Sequence, residues 1–180
     1  MPCHYQTNLT AGTYYASRRT EPPYLIFSEP RDYEEFEGFL VQTLERTNTR
    51  LLGYCCMPDS IHLALTVDAT PLGEVMGRVT RYCSQRIRKR TGTRVSYTDT
   101  FPIMLEPLSH LPMLLRYIHC IPVIAGAAAT PSDYPYTSHR AYTGEDPVER
   151  MTALQKLIRG PRLHYAGRAG RADGPERGTL

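Results

Sequence analysis

A chain of 180 residues, 41% hydrophobic and 22% charged, is long enough for one domain with a true core and too short for two comfortable ones. No apolar run reaches the length of a membrane span, no secretory leader pattern opens the chain, and five cysteines without metal spacing suit reduced thiols in a cytoplasm. The net charge of +3 is modest, yet basic residues concentrate in 78–94 and after 159 while 29–45 is acidic, which is compatible with a polyanion on one face.

Residues 11–19 carry Thr13, Tyr14 and Tyr15, suit a strand and end in Arg18 and Arg19. A link through Pro22 and Pro23 leads to an apolar run, and Ser28 is placed to cap a helix with Pro30 in its first turn. Asp32, Glu34 and Glu35 suit that helix's positive end, and Tyr33, Phe36, Leu40 and Leu44 give it an apolar stripe. Residues 50–67 read as two strands meeting at Pro58 and Asp59. In the second strand Ile61, Leu63, Leu65 and Val67 share one face. Ser60, His62, Ala64 and Thr66 share the other, which leaves His62 on an open sheet surface.

Thr70 or Pro71 opens a second long helix whose buried face is Leu72, Val75, Met76, Val79, Cys83 and Ile87. Arg78, Arg81, Gln85 and Arg88 recur on another face, joined by Arg86, Lys89 and Arg90, before Gly92 ends the helix. Such a strip suits phosphates, although a solvated cationic face complementing the helix dipole has the same composition. Short β-prone pieces follow near 95–97 and 101–105. Leu111 to Cys120 reads as a short helix stopped by Pro122, which biases Ile121 away from helical geometry. An aromatic-rich loop spans 131–142, and a last amphipathic helix runs from Pro147 to about Ile158 with Val148, Met151, Leu154 and Leu157 on one side. The expected organisation is one domain over 1–158 and a basic, disordered tail over 159–180. The element order points to an α+β sandwich, an antiparallel sheet with helices on one face and the other face open. Open faces of this kind serve single-strand nucleic-acid binders.

Four stretches in order give this outline a sharper identity. They are Asp32-Tyr33 with Phe36; Met57-Pro58-Asp59-Ser60-Ile61-His62-Leu63; Arg116-Tyr117-Ile118-His119-Cys120-Ile121-Pro122-Val123 with Ala125-Gly126; and the run from Asp133 to Tyr142. Together they resemble the REP-associated tyrosine transposases, relatives of the single-tyrosine transposases of the HUH (His–hydrophobic–His) class. The resemblance implies a ferredoxin-like, RRM-like fold and a homodimer. It also implies metal-assisted cleavage and rejoining of single-stranded DNA beside hairpins through a 5′-phosphotyrosine. A phenol with a pKa of about 10 is a poor nucleophile at neutral pH, so it needs in-line placement and a cation such as Mg²⁺ or Mn²⁺ to offset developing charge.

Carried over by position, Tyr117 falls on the nucleophile and His62 on the second histidine of the pair. Ser60 stands where the first histidine belongs, and a neutral hydroxyl is a weak replacement ligand. Ile121 stands where a polar residue should face the metal four residues after the tyrosine, and it cannot ligate. His119 points away from Tyr117's side of the helix, since two helical positions differ by about 200°, whereas His139 is a candidate to approach the site from the aromatic loop. The expected DNA contacts are Arg18, Arg19, Arg78, Arg81, Arg88, Lys89, Arg90, Arg116, His139 and Arg140. The favoured expectation is a cytoplasmic, nucleoid-associated bacterial protein, not membrane-bound, that binds single-stranded or hairpin DNA with cleavage impaired. An active transposase with a rearranged metal site and a protein-interaction module on a retired scaffold are the alternatives.

Overall fold

The computed structural model describes residue 9 and residues 11–98, 102–106, 108–144 and 152–158. The basic tail over 159–180, and Pro147, Val148 and Met151 of the expected last helix, lie outside the described residues. The described elements run β1 (Gly12–Thr20), α1 (Pro30–Arg46), β2 (Arg50–Met57), β3 (Ser60–Val67), α2 (Leu72–Thr91), β4 (Tyr97–Thr98), β5 (Ile103–Met104), α3 (Leu111–Ile124), α4 (His139–Thr143) and α5 (Ala153–Leu157). The five strands form one antiparallel sheet in the order β2-β3-β1-β4, with β5 also pairing β1. Two interleaved βαβ units give this order, which is the ferredoxin-like arrangement expected.

The sheet's alternation sorts its side chains cleanly. Tyr14 and Ala16 of β1 and Ile61, Leu63 and Leu65 of β3 join the stripes of α1 and α2 in the main core. Every stripe residue read from the sequence, from Tyr33 to Leu44 and from Leu72 to Ile87, is buried there. α1 and α2 are further tied by Asp32, which accepts from Arg86 at 2.9 Å and Arg90 at 3.2 Å. Ser28 does not cap α1. Glu29 takes the cap position without a side-chain bond, because the Asp32 carboxylate reaches back to the Ser28 amide at 2.8 Å.

The opposite face is not open along its length. α3 lies against β2 and β3 and buries Leu115, Ile118 and Ile121 with Leu52, Cys55, Met57 and Ala64 in a second cluster. The helix therefore sees a second apolar surface that strand alternation alone did not reveal. It also runs through Pro122 to Ile124 rather than stopping at Cys120. The proline forfeits only one intrahelical donor there, and its buried ring packs, so tertiary contact overrides the local signal. Two further features seat α3. The register of β2 shifts between Leu51 and Gly53, and a Cβ on Gly53 would overlap the Cδ2 of Leu115. Thr152 caps α5 through a reciprocal bond pair with Gln155, so the described helix starts at Ala153.

Candidate functional site

The residues singled out around the helix-borne tyrosine converge on the face shared by β1, β3 and α3. Ser17 and Arg19 of β1 lie opposite His62 and Ser60 of β3. Because Ser17 is small, the ring of Tyr15, one step along the same face, reaches diagonally to His62 and stacks parallel to it at 6.1 Å. Tyr15 Oη lies 2.7 Å from His62 Nδ1, His62 Nε2 lies 3.1 Å from Ser60 Oγ, and Ser60 donates to Asp59 Oδ1 at 3.0 Å. Tyr117, 50% exposed on α3, meets the Tyr15 ring edge-on at 5.9 Å. Arg19 completes the outer rim, its Nε 3.5 Å from Asp59 Oδ2.

The proton positions in this chain are assigned by its own bookkeeping. An Asp59 carboxylate only accepts, so the single Ser60 proton goes to it. Ser60 Oγ must then accept from His62 Nε2–H, which leaves Nδ1 to accept the Tyr15 proton. Burial, with Arg19 adding to it, lowers the His62 imidazole to about 4, so the ring is neutral at physiological pH. Burial, with the neighbouring Tyr117 phenol adding to it, pushes the Tyr15 phenol well above its usual value. Tyr15 was not singled out in the sequence. Its partner is 47 residues away, and only the strand register shows that the two meet.

These donors do not fit a divalent cation. The one imidazole has both ring nitrogens engaged within the chain, Ser60 is neutral, and Ile121 is buried in the second cluster. Among the described residues no group of three or more His, Cys, Asp or Glu side chains is placed to hold a metal.

The other expected contacts separate by position. Arg19 and Arg116 are exposed on the Tyr117 side. Arg18 is buried on the helical side, its Nε donating to Thr80 of α2 at 3.1 Å. Arg81, Arg88 and Lys89 are exposed, and Arg78 is paired with Glu74 at 2.8 Å. All four project from α2, across the sheet from Tyr117, so they do not belong to its rim. Arg90 is spent on Asp32 and on the carbonyl of Leu25. Arg140 donates twice to the carbonyl of Ser132, at 3.1 and 2.8 Å.

His119 and His139 form a separate buried group. His119 lies 2.7 Å from Ser138 Oγ and 5.2 Å, ring to ring and edge-on, from His139. Burial, with His139 adding to it, lowers His119 to about 3. Ser138 in turn accepts from the Tyr54 amide at 2.9 Å, so the cluster ties the aromatic loop to β2. His139 therefore packs with His119 and does not join the Tyr117 group.

Among known proteins, the chain is similar in structure to a REP-associated tyrosine transposase bound to a REP hairpin. It covers 81% of this chain and 88% of that one, with a TM-score of 0.60 and 12% sequence identity. The fold is that of a tyrosine transposase. Neither a family model nor a curated protein matches the chain in sequence. The likeness is one of fold, at low sequence identity.

Proposed function

We propose that this chain is a DNA-binding member of the REP-associated tyrosine transposases. In this reading it recognises single-stranded or hairpin DNA on the face around Tyr117, and tyrosine-mediated strand cleavage is impaired. The observation that carries the proposal is the composition of that face. A half-exposed Tyr117 stands beside two exposed arginines, Arg19 and Arg116, while the positions that should supply metal ligands hold Ser60 and Ile121.

The surroundings support a polyanion with unstacked bases. Exposed apolar side chains lie on this face: Met113 and Ile124 share the Tyr117 side of α3 by helical spacing, and Ile103 pairs with Tyr15. Apolar and aromatic surface flanked by cations is the composition on which bases stack while phosphates pair with arginine. The likeness to a transposase that holds a REP hairpin supports the same class of ligand. A phenol without a bound divalent ion to offset charge on the attacked phosphate makes a slow nucleophile. Binding therefore outlasts chemistry.

The test is fluorescence-anisotropy binding of a labelled DNA hairpin with a single-stranded flank, across about 50–200 mM salt. Affinity should fall steeply with salt and fall further in an Arg19→Ala, Arg116→Ala double variant. Absence of binding, or a salt-insensitive constant, overturns the assignment to DNA. A covalent protein–DNA adduct formed by the wild type and lost in Tyr117→Phe overturns the impairment.

A further inference from the structure

We infer that Gln155, in the last described helix, is a positioning residue for Tyr117, acting through the aromatic loop and His119. The inference rests on the reading of the Tyr117 face as a DNA-binding surface and adds what holds that face in place. Gln155 is buried, 4% exposed, and both ends of its side-chain amide are engaged. Its Oε1 accepts from the Thr152 amide at 2.9 Å, within the cap of α5, and its Nε2 donates to the carbonyl of Thr137 at 3.2 Å. A backbone amide only donates and a carbonyl only accepts, so these two partners set the orientation of the side-chain amide. One residue thus joins α5 to the aromatic loop.

The bond to Thr137 falls on a peptide unit that is held from its other side as well. The amide of that unit, the Ser138 N–H, donates to the Tyr54 carbonyl at 3.0 Å. A peptide unit is planar, so with its carbonyl and its amide both engaged its orientation is fixed. That orientation aims the Ser138 side chain inward. Ser138 Oγ accepts from the Tyr54 amide at 2.9 Å and lies 2.7 Å from His119 Nε2. His119 is 1% exposed and sits two residues after Tyr117 on α3. Two such positions differ by about 200° around the helix, so a hold on the inner side at His119 sets the direction in which Tyr117 faces out. Apolar packing is non-directional. Burial of Leu115, Ile118 and Ile121 therefore tolerates small rotations of α3 that the hydrogen bond to His119 does not.

The experiment compares wild type with two variants. Gln155→Met keeps the length of the side chain and removes the bond to Thr137, whereas Thr152→Ala weakens the cap of α5 and leaves that bond. Each protein is read by amide hydrogen exchange, by the ring signals of ¹³C-labelled tyrosine with Tyr117 assigned through Tyr117→Phe, and by hairpin binding in anisotropy. In Gln155→Met, exchange at Ser138 and along α3 should quicken by about three- to tenfold, while α1 and α2 stay at wild-type rates. The Tyr117 ring signal should shift as its edge-on contact with Tyr15 changes. Hairpin affinity should weaken by about threefold or more as the fraction with Tyr117 in place falls. Thr152→Ala should leave the Tyr117 signal and the affinity at wild-type values. An unmoved Tyr117 signal in Gln155→Met overturns the inference. So does an equal shift in Thr152→Ala, which would trace the effect to the stability of α5 alone. If the wild type binds no hairpin, the proposed function fails, and the exchange rates and ring signals still decide the role of Gln155.

Discussion

Gly53→Ala tests how α3, and with it Tyr117, is seated on the sheet. The new methyl would enter the space of Leu115 Cδ2 and come within 3.3 Å of Ser138 Oγ. Leu115 is fully buried, so it must leave its rotamer or lift α3. Overpacking of this kind costs about 1–3 kcal/mol, and the reduced freedom of the unfolded chain returns about 0.4–1 kcal/mol. The net expectation is about 1–2 kcal/mol of destabilisation. Leu115→Ala alone leaves a cavity and should cost about 2–5 kcal/mol. In the double variant the added methyl points into the space Leu115 vacated, so the two effects should offset each other by about 1–2 kcal/mol. Urea unfolding midpoints of the four proteins give this coupling directly. Additivity within about 0.5 kcal/mol would refute the contact and the seating of α3 with it.

Asp32→Ala should destabilise by about 2–3 kcal/mol at pH 7, because it strips partners from Arg86 and Arg90, both of which are partly exposed. The Ser28 amide and the two arginines hold the Asp32 carboxyl below its usual pKa against the cost of its burial. Its contribution is thus complete above about pH 4 and is lost as pH falls through the lowered folded value, so the gap between variant and wild type in urea should narrow progressively below about pH 4. His62 and His119 have the opposite charge type but the same trend. Their folded values, about 4 and about 3, lie below that of an unfolded histidine. Stability is therefore complete above about pH 6.5 and declines by up to about 1.4 kcal/mol per pH unit per histidine on acidification. His119→Gln should flatten that decline, as read by thermal midpoints between pH 7 and pH 5. Reversing Arg81 and Arg88 to Glu should change hairpin affinity less than the Arg19→Ala, Arg116→Ala variant does, because their helix lies across the sheet from Tyr117. Equal losses in anisotropy would place DNA on both faces.

The helical stripes and the hairpin were legible because each depends on a period within one element. Phe36 and Leu40 of α1 and Val75, Met76 and Val79 of α2 needed no partner to be recognised. What escaped depends on pairs far apart in sequence. The open face foreseen beside His62 is partly roofed because Ile118 and Ile121, which looked like the ordinary interior of a short helix, meet Leu52 and Cys55 some sixty residues earlier. Arg18 and Arg90 read as surface cations because nothing local shows that Thr80 and Asp32 stand in front of them. Pro122 misplaced a helix end because its packing outweighs one lost donor. Tyr117 and His62 were found through the motif, but Tyr15, which touches both rings, belongs to no motif.

The aromatic loop also bears on how copies of this chain behave when concentrated. β2 is the outer strand of the sheet, and its free side is occupied by the chain itself. Thr137 bridges to Cys55, the Cys56 amide donates to the carbonyl of Tyr136, and the Ser138 amide donates to that of Tyr54. The stack of Tyr136 on Tyr33, 3.6 Å between ring centres, clamps that segment down. Along residues 54–56 the molecule is thus its own edge guard, leaving no bare row of amides there to recruit a strand from a neighbour. Loosening the stack with Tyr136→Ala would uncover that row, and the cost would surface first as self-association on storage.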